Sequence, residues 1–168
     1  EFRRVLFRSR QGTAEDIDAV LCMIRGAANK MNAQGIRQWD GAYPDRATFE
    51  EDVRNGSLCL GFLGDTLAVC YVINDVCDEQ YQNGAWEYPD TRYRVGHRLC
   101  VNPALQGKGL ASRTMEHIEE QLRAEGTESF RFDAFSQNPA ALSLYEKHGY
   151  KRVGTAHWRK GTFFLMEK

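Results

Sequence analysis

The sequence predicts a single α/β domain, and three observations carry that prediction. Apolar residues recur at helical spacing in Ile17, Val20, Leu21, Ile24, Ala28 and Met31, and again in Ala111, Met115, Ile118 and Leu122. Segments rich in Leu, Val, Ile, Cys and Tyr, at Ser57 to Phe62 and Thr66 to Asn74, lie between such runs and read as strands. A glycine-bearing turn, Val101 to Ala111, joins a strand-like run (Arg94 to Val101) to a helix-like run (Leu110 to Glu125). Glycine has no side chain to bar positive φ or to fend off a ligand. A helix start adds unpaired backbone N–H groups and a partial positive charge. Strand, glycine turn and helix in this order therefore make a place for an anion, most simply a phosphate.

Bulk properties bound the rest. The 168 residues suffice for one domain with a proper core. A composition of 42% hydrophobic, 27% charged and 11% aromatic residues argues against disorder and against a membrane protein. No run approaches the roughly 20 apolar residues of a membrane helix. A net charge of −1 lacks the basic excess of DNA-binding domains, so no nucleic-acid partner is expected. The five cysteines, Cys22, Cys59, Cys70, Cys77 and Cys100, are odd in number and form no CxxC pair. They point to free thiols in a reducing, cytoplasmic compartment, without disulfide framework or metal. Residues 1–9 read as a non-native, cloning-derived leader around Leu6-Phe7-Arg8-Ser9, in which Val5 and Phe7 alternate with Arg as a first strand would. Residues 10–168 form the expected domain.

Along the chain, Thr13-Ala-Glu-Asp16 resembles a capping box that opens the first helix. Asn32 to Pro44, with Trp39, Asp40 and Tyr43, is either a packed lid or a ligand wall. Thr48-Phe-Glu-Glu51 signals a short helix ending near Gly56. Gly64-Asp65 joins the two strand runs as a hairpin. The polar stretch Asp75 to Tyr93 is long for a connector, so it is functional or mobile. On the following strand Val95, His97, Leu99 and Val101 share one face, and Arg98 and Cys100 the other. Phe130 to Phe135 alternates as a strand. Asn138-Pro139 opens a helix that Gly149 stops. Lys151 to Trp158 and Thr162 to Glu167 close the chain as paired strands around Lys160-Gly161.

Two familiar phosphate-binding patterns fail at the glycine turn. Gln106-Gly-Lys-Gly-Leu-Ala-Ser112 is not GxxxxGK[ST], and the third glycine of a dinucleotide fingerprint is missing. What stands is Gln-x-x-Gly-x-Ala at 106–111, preceded by Val-x-Pro at 101–103. This run resembles the acetyl-CoA motif [QR]-x-x-G-x-[GA] of the GNAT superfamily of N-acetyltransferases. Downstream, Asn138-Pro-Ala-Ala-Leu-Ser-Leu-Tyr145-Glu-Lys-His-Gly149-Tyr150 resembles the family's second CoA-side motif, N-x-x-[AS]-x-x-[LF]-Y-x-x-x-G-[FY].

The resemblance implies a mixed, mostly antiparallel sheet of six to seven strands with a central V-shaped splay, flanked by about four helices. It implies acetyl-CoA as co-substrate and no metal. The backbone of Gln106, Gly107, Lys108, Gly109, Leu110 and Ala111 would cradle the pyrophosphate, with charge from Lys108 and a hydroxyl from Ser112. Pantetheine would lie against Leu99 and Val101, and an N–H near Cys100 or Val101 would polarise the thioester carbonyl. Asn138 would cap its helix and contact CoA. Tyr145 matches the family's general acid, which protonates the departing thiolate.

The strand before the turn has no Glu of the kind many relatives use as base. His97 is the best local candidate by its ordinary pKa, with Glu87 and Asp133 behind it. Cys100 faces away from His97 on an ideal strand, which disfavours an acyl-cysteine route. Trp39, Tyr43 and Trp86 either wall an acceptor site or plug the core. Asp40, Asp45 and Glu87 either attract a cationic amine or are solvated charges. The expected reaction is direct acetyl transfer to a small-molecule primary amine in a ternary complex. A protein or peptide N-acetyltransferase and a non-catalytic CoA-binding regulatory module are the alternatives. No membrane partner is expected, and family members commonly form homodimers through a sheet edge or the last strands.

Overall fold

The computed structural model describes residues 7–168. The leader's Val5 lies outside the described residues. Among the described residues, hydrogen-bonded neighbours give seven strands in the order β1-β2-β3-β4-β5-β7-β6. Two compact units divide the chain: residues up to Ile73 with Arg98–Ala111, and Asn74–His97 with Ser112–Lys168.

In the first unit, strand β1 (Phe7–Gln11) pairs antiparallel with β2 (Leu58–Leu63), and β2 pairs antiparallel with β3 (Thr66–Asn74). The Thr13 box forms as expected. The Asp16 carboxylate accepts from the Thr13 N–H at 2.8 Å and from the Arg10 guanidinium at 2.7 Å. Helix α1 (Ile17–Ala33) follows and buries Ile17, Val20, Leu21, Ile24, Ala27 and Ala28. Helix α2 (Arg46–Arg54) starts before Thr48, because Asp45 is its N-cap: one carboxylate oxygen accepts from the Thr48 N–H at 3.0 Å and hydroxyl at 2.6 Å. The core of this unit centres on Phe49, Leu58, Leu60, Cys70 and Val72, all fully buried. Each large apolar side chain removed from water contributes about 1.5–3 kcal/mol.

In the second unit, the first residues of β4 (Tyr93–Val101) pair parallel with β5 (Ser129–Phe135). The register has three pairs and ends at Val95↔Arg131. At the next residue, a Cβ on Gly96 would stand 2.6 Å from Cζ of Phe130, so a larger side chain there requires the ring to move. Strand β5 continues antiparallel to β7 (Gly161–Glu167), which pairs with the edge strand β6 (Lys151–Trp158). Helix α3 (Leu110–Ala124) and helix α4 (Pro139–Lys147) complete the set of four α-helices among the described residues.

Asp75 to Tyr93 is not a loose connector. It contains a short 3-10 turn, Glu79–Asn83, and is fastened along its length within the second unit. The Tyr81 hydroxyl donates to Asp133 at 2.8 Å, and the Ala85 N–H donates to the Val153 carbonyl at 2.7 Å. The buried Glu167 carboxylate accepts from the Glu87 and Tyr88 N–H groups at 2.7 and 3.2 Å and from the Ser129 hydroxyl at 2.9 Å. Buried Arg131 donates to the Tyr88 carbonyl at 2.8 Å, with its guanidinium carbon 4.5 Å from the centroid of a Trp86 ring and 4.1 Å from that of Tyr93. Among the described residues no helix is long and apolar enough to cross a membrane.

Candidate functional site

The glycine turn adopts the conformation that its sequence suggests. Gly107 and Gly109 have φ of +77° and +76°, a region that L side chains rarely enter, and nothing lies within 4 Å of where their Cβ atoms would stand. The turn is set from both sides. Asn102 donates from its N–H to the Ala68 carbonyl at 2.7 Å and from its side chain to the Leu67 carbonyl at 2.9 Å. Its Oδ1 accepts from the Ala104 N–H at 3.0 Å. The Gln106 side chain reaches back to the Val101 carbonyl at 3.3 Å. Leu110 is buried and anchors the start of α3, whereas Lys108 is exposed. An open face above backbone held in this shape fits a pyrophosphate.

The second motif is equally well formed. Asn138 caps α4, its Oδ1 accepting from the Ala141 N–H at 3.2 Å. Leu142 is the buried face of that helix. Tyr145 packs on Phe132, with ring centroids 4.5 Å apart, and edge-on to Tyr150 at 6.4 Å. Burial, and then the charge of Asp133, push the Tyr145 phenol up to about 12. It is therefore a fully protonated donor at neutral pH. Ser112 lies 2.7 Å from Nε2 of His148, which closes α4 as its C-cap. Among the described residues no group of three or more His, Cys, Asp or Glu is placed to hold a metal.

With both motifs in place, the decisive comparison is that residues 34–150 match the family model described as acetyltransferase (GNAT) family. The chain belongs to that family. It is 32% identical over 68 residues to an L-methionine sulfoximine/L-methionine sulfone acetyltransferase of Salmonella typhimurium, covering 40% of this chain and 40% of that protein. The chain spans about 40% of the length of the curated relatives it matches. A GNAT-family acetyltransferase structure from Streptococcus agalactiae superposes with a TM-score of 0.86 at 24% identity, covering 96% of this chain and 94% of that chain. An acetyltransferase from Salmonella typhimurium, solved with acetyl-CoA, superposes with a TM-score of 0.64 at 16% identity, covering 96% and 92%. These two likenesses show the fold.

On this GNAT chain the β4 side chains depart from simple alternation. Arg98 has φ of +52°, the left-handed region, in mid-strand. A left-handed residue breaks the two-residue repeat, so the sharing of one face by His97, Leu99 and Val101 does not carry across it. Leu99 and Val101 are half-buried, while Cys100 lies in the first unit's apolar core with its Sγ 3.8 Å from the Val101 carbonyl oxygen. Arg98 forks onto Asp52, with Nε–Oδ2 at 3.0 Å and Nη2–Oδ1 at 2.5 Å, and donates to the Tyr43 hydroxyl at 3.0 Å. Burial pushes the Asp52 carboxyl above its ordinary value against the opposing pull of Arg98. Removing one partner of such a pair strands the other's charge, so Asp52→Ala is expected to lower the unfolding free energy measured by urea titration by about 3–5 kcal/mol.

The remaining expectations resolve one by one. His97 is half-buried, with Nε2 2.8 Å from Asn74 Oδ1. Of the other base candidates, Glu87 pairs with Lys151 at 3.0 Å and Asp133 accepts from Tyr81. Trp39 is a core residue at 7% exposure, and Trp86 stacks on Tyr81 while its Nε1 donates to the Tyr81 carbonyl at 2.8 Å. Tyr43 alone of the three aromatics is exposed, at 40%. Asp40 accepts from the N–H groups of Ala42 and Tyr43 at 3.0 and 3.1 Å, and Asp45 caps α2, so both serve the backbone. Sequence reasoning missed Asn74, His148 and Tyr81. Asn74 and Tyr81 belong to no local motif, His148 fills an unspecified position of the second one, and each meets its partner across 23 to 52 residues of chain.

Proposed function

We propose that this chain transfers an acetyl group from acetyl-CoA to a primary amine of a small molecule, by direct attack in a ternary complex. The observation that carries the reading is the pair of formed motifs: the open, left-handed glycine turn at 106–111 and the Asn138-capped helix bearing Tyr145. When bound, acetyl-CoA supplies an acetyl group activated as a thioester.

The residues divide the remaining work. Backbone N–H groups of Gln106 to Ala111 hold the pyrophosphate, Lys108 adds a positive charge and Ser112 a hydroxyl. Leu99 and Val101 offer backbone to pantetheine, and an N–H near Cys100 or Val101 polarises the carbonyl as its oxygen becomes negative. Asn138 contributes alongside its capping role. His97 takes a proton from the incoming ammonium, which frees the nitrogen lone pair for attack. As the carbon–sulfur bond breaks, the Tyr145 hydroxyl gives its proton to the sulfur, and the phenolate recovers one from the attacking nitrogen as that nitrogen becomes an amide.

The activity of the Salmonella relative on L-methionine sulfoximine and L-methionine sulfone supports a small amine as acceptor. Release of free thiol from acetyl-CoA with a panel of amino acids, polyamines and peptide amino termini tests the proposal. Turnover with small amines above peptides is the expected result. Turnover confined to peptides moves the acceptor to the peptide class. CoA binding without thiol release from any amine would make the chain a binding module. Thermal protection by ATP but not by CoA would overturn the donor assignment.

A further inference from the structure

We infer that Asn74 is a positioning residue that fixes the tautomer and orientation of His97, leaving Nδ1 as the nitrogen that takes the proton. The inference rests on the reading of His97 as the base and adds which atom acts and what holds it. Asn74 ends β3, and both residues lie in the second unit. The Val76 backbone N–H lies 3.0 Å from Asn74 Oδ1. A backbone N–H only donates, so the atom it meets must be the amide oxygen and not the NH₂. This removes the ambiguity that otherwise attends an amide side chain. The same oxygen lies 2.8 Å from Nε2 of His97. An amide oxygen only accepts, so Nε2 must carry a hydrogen.

In the neutral ring the lone pair then resides on Nδ1. When Nδ1 takes a proton, Nε2 keeps its own, and its hydrogen bond to Oδ1 persists and strengthens as the ring becomes positive. Asn74 thus orients the ring before the proton moves and stabilises the imidazolium afterwards, without itself gaining or losing a proton. The Val76 contact matters to this role, because it holds the amide against rotation. Around metal-ligating histidines, outer-shell partners fix the tautomer in the same way, and their loss costs roughly 10- to 100-fold in affinity or activity.

Nitrogen-15 NMR of His97, with the imidazole neutral, reads the tautomer directly in the unaltered protein. Hydrogen on Nε2 and a bare Nδ1 are expected; hydrogen on Nδ1 would overturn the assignment. Asn74→Leu should lower kcat roughly 10- to 100-fold while KM for acetyl-CoA stays the same. Asn74→Asp, which keeps an acceptor for both donors, should retain the Nε2–H resonance and most of kcat. Unchanged kcat in Asn74→Leu would overturn the positioning role. A fully active His97→Gln variant beside an Nε2–H wild-type spectrum would sink the base reading alone. An inactive His97→Gln variant beside an Nδ1–H spectrum would sink the Asn74 assignment alone.

Discussion

Gly109→Glu is expected to abolish acetyl-CoA binding, raising Kd by at least about 100-fold in calorimetric titration, equivalent to some 2.7 kcal/mol. Two effects add. The residue has φ of +76°, so any side chain strains the turn by about 1–2 kcal/mol. The carboxylate also projects where nothing of the protein lies within 4 Å of the Cβ, so it meets the ligand and not the core. There it places negative charge against a pyrophosphate. Gly64 supplies the control. It sits in the β2–β3 hairpin of the same unit with φ of +60° and equally open surroundings. Gly64→Glu should lose comparable stability and keep full affinity for acetyl-CoA. Equal loss of binding in both variants would reduce the effect to strain.

Tyr145→Phe should lower kcat by 10- to 10⁴-fold, the range of a lost general acid, with acetyl-CoA affinity little changed. The phenol's elevation fixes the form of the pH profile. A proton donor whose pKa is raised to about 12 stays in its donating form as pH rises past the ordinary tyrosine value near 10. The wild-type enzyme should therefore show no loss of kcat between about pH 8 and 10 that Tyr145→Phe removes. A basic limb in that window that disappears with the phenol would overturn the phenol's elevation, and full activity in the variant would remove Tyr145 from the role of acid. The ring's packing on Phe132 survives this substitution, so a drop in kcat reports the hydroxyl.

Much of this was legible in the sequence because it is local. The Thr13 box, the Asn138 cap and the glycine turn each draw their geometry from a few consecutive residues. The predicted strands lie within one or two residues of the observed ones, because alternation and turn residues are also short-range signals. The helix at Arg46–Arg54 starts three residues before the one a Thr48 cap implies, because Asp45 and Thr48 both suit a cap, and only the geometry shows that the Asp45 carboxylate is the acceptor.

The failures are long-range. Arg98 carries no glycine-like signal for a left-handed conformation; its side chain is held by Asp52, which stands 46 residues earlier. Asp75 to Tyr93 is polar and reads as loose. Its anchors are Glu167 and Arg131, whose bonds to that stretch span 43 to 80 residues. Asn74 fails for the same reason, since nothing around it in the chain names His97 as its partner.

The Arg98–Asp52 pair also bears on how this molecule meets heat and salt. Its side chains are 12% and 7% exposed, against 46% and 17% for the Arg10–Asp16 pair of the same unit. Dissolved ions screen the outer pair within about a Debye length but hardly reach the inner one. Warming acts in the opposite sense, since the penalty for stripping water from charges falls as temperature rises while apolar burial levels off. The kinked centre of β4 is thus held by an attachment that brine leaves intact and that becomes relatively more favourable as the surrounding core loses its advantage.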